Sequence, residues 1–235
     1  KIKKNNTKII LFCQKNLIIF FKYLAEINLI ITSDLEIPKI DYYVSLMSLP
    51  YIFRKEKIPQ VYKFIETDKK KYKYWRSKLL KTKKIKVGLA WQGDAINVSD
   101  YKRSISLKKF KPIIELPKIC FISLQKDFGR EQIKLNKFEK KIIDFFDNVN
   151  SFQDTISIIE NLDLIITVDT AIAHIALTMG KETWVLLPFV PDFRWGLNEK
   201  STIWYNKSKL FRQKNFNQWD KTILEVKKTL IKKYN

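Results

Sequence analysis

The chain has 235 residues, 46% hydrophobic and 29% charged, which is enough apolar material for one large domain or two small ones and excludes an intrinsically disordered chain. Forty-five basic side chains against 24 acidic ones leave a formal charge of +21, a balance that would suit nucleic acid, anionic lipid or a phosphorylated substrate. The basic residues are 39 lysines and only six arginines, scattered through a chain also rich in Ile, Asn and Phe. A bias towards residues with AT-rich codons gives that pattern without any acidic partner, whereas nucleic-acid surfaces cluster their charge and favour Arg for base contacts; nucleic acid is therefore not expected as a partner.

The N-terminus, Lys-Ile-Lys-Lys-Asn-Asn, has no initiating Met and no small-residue cleavage site after its apolar run, so it does not read as a signal peptide, and the chain is expected to begin partway into something larger. From Thr7 the pattern is a strand (Lys8 to Cys13), an apolar helix (Leu17 to Ile27) and a second strand (Leu29 to Thr32), a β-α-β unit. Gln14, Lys15, Lys22 and Glu26 interrupt the apolar stretch from Ile9 to Ile31, which falls short of the roughly 20 apolar residues of a membrane helix. Asp41 to Phe53 is an apolar segment broken by Pro50, and Asp68 to Leu80 reads as a basic amphipathic helix ending in the Lys81-Thr-Lys-Lys run. That run marks the expected boundary between a partial N-terminal α/β domain (1–82) and a C-terminal domain (83–235).

From Ile85 short apolar strands alternate with helical patterns, the signature of a parallel sheet with crossover helices. Strands are predicted at Lys86 to Trp91, Cys120 to Leu124, Ile142 to Phe146, Leu164 to Val168, Thr183 to Leu187 and Lys209 to Arg212. Helices are predicted at Leu107 to Leu116, Glu131 to Phe138, Phe152 to Asn161, Ala171 to Met179 and Trp219 to Lys233. Runs such as Leu-Ile-Ile-Thr-Val are apolar on both faces, as buried parallel strands must be. Cys13 and Cys120 sit inside such runs and read as buried strand thiols of a reducing compartment rather than as a disulfide or metal pair.

The sharpest feature runs from Leu164 to Gly180. A strand ends at Asp169, Thr170 is placed to cap a helix, and Gly180 can close it in the left-handed conformation. The helix therefore opens at the carboxyl edge of a parallel sheet, where open α/β folds bind ligands. Its N–H groups and dipole favour an anion, and Ala171 and Ala173 are small enough for a phosphate to approach. His174, the only histidine, lies in the first turn and a half, within reach of a phosphate or ribose; the alternative is a simple cap with His174 packed between helices.

A second loop, Trp91 to Ile105, leaves a strand with Gly93, Lys102 and Arg103, and the planar Arg103 fork suits a phosphate. A third, Ser123 to Glu131, offers Gln125, Lys126 and Glu131. Pro188 to Gly196 with Trp204-Tyr205 alternates aromatics with Asp192 and Arg194, either a stacking surface for a base or sugar or a packed Pro-rich corner. There is no Walker A loop, no G-x-G-x-x-G, no G-x-S-x-G elbow and no Cys/His cluster at metal spacing.

Taken in order, Val87-Gly-Leu-Ala-Trp91 with Arg103-Ser-Ile, Phe121-Ile-Ser-Leu-Gln-Lys126, Asp163 through His174, Trp184 through Trp195, Trp204-Tyr205 and Leu210-Phe-Arg-Gln213 resemble the glycosyltransferase domain that bacteria append to tetratricopeptide repeats, similar to the heptosyltransferase (family 9) enzymes. Ser45-Leu-Met-Ser-Leu-Pro50 and Trp75-Arg-Ser-Lys-Leu79 extend the resemblance over nearly the whole chain. It implies a GT-B-like α/β architecture, with a Rossmann-like C-terminal domain that holds a nucleotide-diphosphate sugar and a partial N-terminal α/β domain on the acceptor side. Asp169, Thr170, Ala171 and His174 inherit the contact with the donor diphosphate, with Arg103, Lys126, Gln125 and Trp91 as further donor-binding candidates.

The resemblance further implies metal-free transfer with no cofactor, an acceptor that is a lipid, polysaccharide or protein, a tetratricopeptide-repeat partner or missing N-terminal segment, and a cytoplasmic site of action, free or at the inner face of the membrane. Two departures stand out. The Gly-x-Gly-Asp loop and catalytic carboxylate with which the family opens have no counterpart at Lys1 to Lys8, and Asn97, Val98 and Tyr101 replace a His and extra Arg. Donor binding is thus expected to survive better than turnover, and the catalytic residue is not assigned.

Overall fold

The computed structural model describes residues 7–33, 37–54, 65–79, 82–98 and 100–234. The opening residues 1–6 and the junction of basic helix and lysine run at Leu80 and Lys81 lie outside the described residues. The chain divides into two units, Lys1–Gln60 and Val61–Asn235.

In the first unit β1 (Ile10–Phe12) and β2 (Leu29–Ile31) pair in parallel, Ile10 opposite Leu29, around helix α1 (Ile18–Phe21). The β-α-β reading holds, but the helix is shorter than expected. Ile, Ile, Phe and Phe lose rotamer freedom in a helix, and Asn28 pulls the chain back early: its N–H donates to the Ile9 carbonyl and its Oδ1 accepts the Ile9 N–H, both at 2.9 Å. Further on, Ser45 Oγ caps a short 3-10 turn and Pro50 sits in the first turn of α2 (Leu49–Ile52), where its missing N–H costs nothing.

The second unit opens with α3 (Lys69–Leu79) and then β3 (Ile85–Ala90), α4 (Asp100–Arg103), α5 (Lys111–Ile114), β4 (Ile119–Ser123), α6 (Gln132–Leu135), β5 (Ile142–Ile143), α7 (Phe152–Glu160), β6 (Leu164–Val168), α8 (Ala171–Thr178), β7 (Thr183–Leu187), β8 (Ser208–Arg212) and α9 (Asp220–Tyr234). The six strands form one parallel sheet in the order β5-β4-β3-β6-β7-β8. Counted within this unit the order is 3-2-1-4-5-6, that of a doubly wound dinucleotide-binding sheet, and it reverses between β3 and β6. The mixed α/β, Rossmann-like expectation is met. Gly88 in β3 lets Leu124 and Leu162 pack against the strand, since a Cβ there would come within 2.6 Å of both their Cδ1 atoms and push them aside.

All five residues of β6 and of β7 are buried, and the core on the sheet joins Val87, Leu89, Phe121 and Ile166 to Phe110, Ile113 and the α9 residues Ile223, Val226 and Leu230. Pro112 splits the helix expected over Leu107 to Leu116 into a 3-10 turn and the short α5. The strand expected from Ile142 to Phe146 stops at Ile143, because Asp144 turns its carboxylate to the Phe146 N–H and to Arg130.

Helix α3 packs on α7, so it counts with the second unit, upstream of the boundary expected at the lysine run. Its Trp75, 1% exposed, donates from Nε1 to Asp154 Oδ1 at 3.2 Å, and Lys71 Nζ reaches the same oxygen at 2.6 Å. Burial alone would raise the Asp154 pKa, but the bonds from Lys71, Ser151 and Trp75 outweigh it and hold the carboxyl below its ordinary value. Cys120 lies in β4 and Cys13 just past β1; both are free thiols, partly rather than fully buried as expected. Among the described residues no helix is long and apolar enough to cross a membrane.

Candidate functional site

In a sheet of this order the binding crevice lies outside the carboxyl ends of the strands flanking the reversal, here β3 and β6. The loop leaving β3 closes on itself where the Ile105 N–H meets the Trp91 carbonyl at 2.8 Å. From this loop Arg103 crosses the crevice: Nη1 donates to the main-chain carbonyl of Asp169 at 2.9 Å, tying the ends of β3 and β6 together. Asp100, buried in α4, holds Arg103 Nε at 3.0 Å through Oδ1 and accepts the Ser104 hydroxyl on Oδ2 at 2.6 Å. Nη2 makes no hydrogen bond among the described residues and lies beside Gly93.

Helix α8 begins at the end of β6. Thr170 occupies the cap position with extended backbone, φ −138° and ψ 175°, but its side chain makes no cap bond; Oγ1 instead lies 3.3 Å from Thr167 Oγ1. The expected hydroxyl cap is absent: the Thr167 hydroxyl donates to the Val168 carbonyl, which leaves Thr170 turned to donate to Thr167, and the first-turn amides of Ala171 and Ile172 receive no side-chain cap. Gly180 closes the helix at φ +73°, as expected.

His174 lies against this terminus. Its ring stacks on Trp195 at 5.2 Å and 24°, Nδ1 meets the Tyr205 hydroxyl at 2.9 Å, and Nε2 is 3.8 Å from Asp169 Oδ1. Burial first, and then the Arg194 charge, push its pKa down to about 4, so the imidazole is neutral at pH 7 and its contact with Asp169 is not an ion pair. A lone pair on Nε2 facing a carboxylate would be repelled, which selects the tautomer with hydrogen on Nε2 and leaves Tyr205 donating to Nδ1. Burial raises the Asp169 carboxyl above its ordinary value, with Trp195 and Arg103 opposing. Trp195 is 1% exposed, and its indole N–H faces that carboxylate without reaching hydrogen-bond geometry.

The aromatic segment is held by Arg212, whose guanidinium donates to the carbonyls of Trp195 at 2.5 Å, Gly196 at 2.9 Å and Glu199 at 3.1 Å. Gly196 takes φ +64° and ψ −175°, a region closed to other residues. Of the two readings of this segment, the packed corner holds for Trp195, which joins Ala173, Leu177, Val185 and Leu187 in a small core, while Phe189 and Phe193 remain more than half exposed.

The structure thus brings Asp169, Thr170, Ala171, His174 and Arg103 together. It does not bring in Gln125, Trp91 or Lys126. Gln125 Oε1 accepts the N–H groups of Trp91 and Gln92, each at 3.0 Å, and its Nε2 donates to the carbonyls of Gln92 at 2.9 Å and Phe128 at 2.7 Å. Trp91 is fully buried and donates to the Gly129 carbonyl at 3.1 Å. Their polar groups are spent on clasping the β3 and β4 loops, which makes both supports rather than ligand contacts. Lys126 is exposed and meets none of the Asp169 cluster among the described residues.

Glu131 lines a cavity of about 650 Å³ beyond that loop, together with Asp127, Glu139, Asp144, Arg130 and Lys134. Arg130 is already paired there with Asp144 and Asp147, and the surplus of carboxylates is wrong for a phosphate. No group of three or more His, Cys, Asp and Glu side chains placed to hold a metal occurs among the described residues. Sequence reasoning missed Asp100 and Ser104, whose only signal was their spacing of three and one residues from Arg103, and it did not pair Tyr205 with His174.

No family model and no curated protein matches the sequence. Among solved structures, the chain is similar to the glycosyl transferase family 9 protein of Veillonella parvula DSM 2008, with a TM-score of 0.56 and 10% identity over 96% of this chain and 86% of that one. It is also similar to the ADP-heptose lps heptosyltransferase II of E. coli, with a TM-score of 0.48 and 11% identity over 74% of this chain and 51% of that one. The chain therefore spans about half the length of the heptosyltransferase. The Veillonella likeness shows a GT-B-like fold.

Proposed function

We propose that this chain is a glycosyltransferase, or the donor-binding part of one, that moves a sugar from a nucleotide diphosphate to an acceptor hydroxyl. One observation carries this reading: at the point where the strand order reverses, an α-helix whose first-turn amides lack a side-chain cap meets an anchored arginine and a neutral histidine. Those three donor sets suit a diphosphate. As the bond from the anomeric carbon to the diphosphate breaks and the acceptor oxygen bonds to that carbon, releasing its proton to water, negative charge grows on the departing diphosphate. The Ala171 and Ile172 amides, Arg103 Nη2 and His174 Nε2–H would stabilise it, and water excluded by the Trp195 corner would strengthen each contact. The fold likeness to a family 9 glycosyltransferase supports the same class.

A binding module without turnover is the second reading, favoured by the carboxylates nearest the crevice. Asp100 is engaged by Arg103 and Ser104 and Asp192 by Arg194, so among the described residues neither of these two stands free to take the acceptor proton, and Asp169 is buried against His174. Thermal-shift titration with UDP, GDP, ADP and CMP and their sugar conjugates tests the site. A ligand at about 100 times its Kd should add roughly 2.7 kcal/mol of stability, a shift lost in Asp169→Ala and His174→Ala without loss of the fold. Unchanged affinity in both variants would refute the assignment, and hydrolysis or transfer of the bound conjugate would separate the enzyme from the binding module.

A further inference from the structure

We infer that Asp100 is the positioning residue for Arg103, setting its guanidinium for the donor phosphates; this rests on the donor-site reading above. A carboxylate on a short helix in a surface loop loses nothing by pointing into water, yet Asp100 is 5% exposed. Burying it is costly unless its oxygens are engaged, and both are: Oδ1 by Arg103 Nε at 3.0 Å and Oδ2 by the Ser104 hydroxyl at 2.6 Å. Ser104 Oγ in turn accepts the Gly93 N–H at 3.0 Å, which anchors the carboxylate to the backbone leaving β3. The Asp100 N–H meets the Asn97 carbonyl at 2.8 Å, so the backbone carrying the carboxylate is fixed as well.

Gly93 completes the arrangement. A Cβ at that position would overlap the Asp100 carboxylate and lie 2.7 Å from Arg103 Nη2, so any side chain there would have to displace the pair from its present placement. With Nε held by Asp100 and Nη1 by the Asp169 carbonyl, the plane of the guanidinium is determined and Nη2 is the edge that remains. A long flexible side chain fixed in this way before the ligand arrives does not lose that freedom on binding, which is the source of affinity in a preorganised site. The negative charge of Asp100 works against an anion, so a role in positioning and a role in field strength make opposite predictions for the isosteric amide.

The test is calorimetric titration of the full chain with UDP, GDP, ADP and CMP, comparing wild type with Asp100→Ala, Asp100→Asn, Arg103→Ala and the Asp100→Ala/Arg103→Ala double variant. Asp100→Ala should bind about tenfold more weakly, the cost of ordering one long side chain. Asp100→Asn, which keeps an oxygen for Nε and removes the charge, should bind at least as tightly as wild type. The double variant should bind no more weakly than Arg103→Ala alone, since a residue acting through another has nothing left to act on. Additive losses, or an Asn variant as weak as the Ala variant, would overturn the positioning role. Should Asp100→Ala fail to fold, Asp100→Ser takes its place in the cycle. A wild type that binds none of the four nucleotides refutes the donor site and this role with it; a wild type that binds while Arg103→Ala is unaffected refutes the role alone and leaves the α8 terminus as the site.

Discussion

His174 makes the stability of the fold depend on pH in a direction that can be worked out in advance. In the unfolded chain it takes up a proton near pH 6.5, whereas in the folded chain burial and the Arg194 charge delay uptake to about 4. Between those limits the unfolded state holds a proton that the folded state refuses, so the contribution is fully present above about pH 6.5 and is lost as the pH falls towards 4. A gap of about 2.5 pH units at about 1.36 kcal/mol each sets a ceiling near 3 kcal/mol, and the 29% exposure of the side chain brings the expected value to about 2 kcal/mol. Asp169 titrates in the opposite sense, because its raised pKa favours the folded state in acid, and it acts towards the lower end of the range. Urea unfolding of wild type and His174→Gln at intervals from about pH 7.5 to 4 isolates the histidine, since the surface carboxylates cancel in the difference. The difference in unfolding free energy should change by about 2 kcal/mol across that range; a flat difference would refute the neutral, buried histidine and the tautomer argument built on it.

Three further outcomes are expected. Gly93→Ala should displace the Asp100–Arg103 pair and weaken nucleotide binding about tenfold, while the melting temperature moves little; calorimetry showing wild-type affinity would mean that the pair relaxes freely. Asp154→Ala strands the Trp75 indole N–H in the α3–α7 interface and should cost about 2–4 kcal/mol, which for a unit of this size lowers Tm by roughly 5–12 °C; calorimetric melting within 2 °C or so of wild type would contradict the assigned network. Arg212→Ala removes three bonds to main-chain carbonyls and should speed amide exchange across the Trp195 segment while leaving α9 protected; equal exchange would show that the corner is held by packing alone.

The fold was legible because its signals are local. Doubly buried parallel strands read as apolar runs, and β6 and β7 appear over the residues expected of them. The elements that shortened did so through single side chains acting across space: Asp144 ending β5, Asn28 ending the first helix. Asp169, Ala171 and His174 were legible as a strand end and a helix start. Trp91 and Gln125 lie in equally suggestive motifs, yet their hydrogen-bonding capacity is consumed by partners 34 and 38 residues away, a separation no local pattern reports.

The sequence by itself determined the alternation of strands and helices, the placement of a small-residue helix at a strand's carboxyl end, and so the class of fold, because hydrophobic period and turn chemistry are written residue by residue. Only the tertiary structure decided which loops share the crevice and what each polar side chain does there. Strand order places β3 beside β6 across 73 residues of intervening chain, and only then does Arg103 meet Asp169; the fold likewise brings Tyr205 to His174 from 31 residues away. Hydrogen bonds and burial belong to neighbours in space, and for a doubly wound sheet those neighbours are made by the crossover connections rather than by the chain's order.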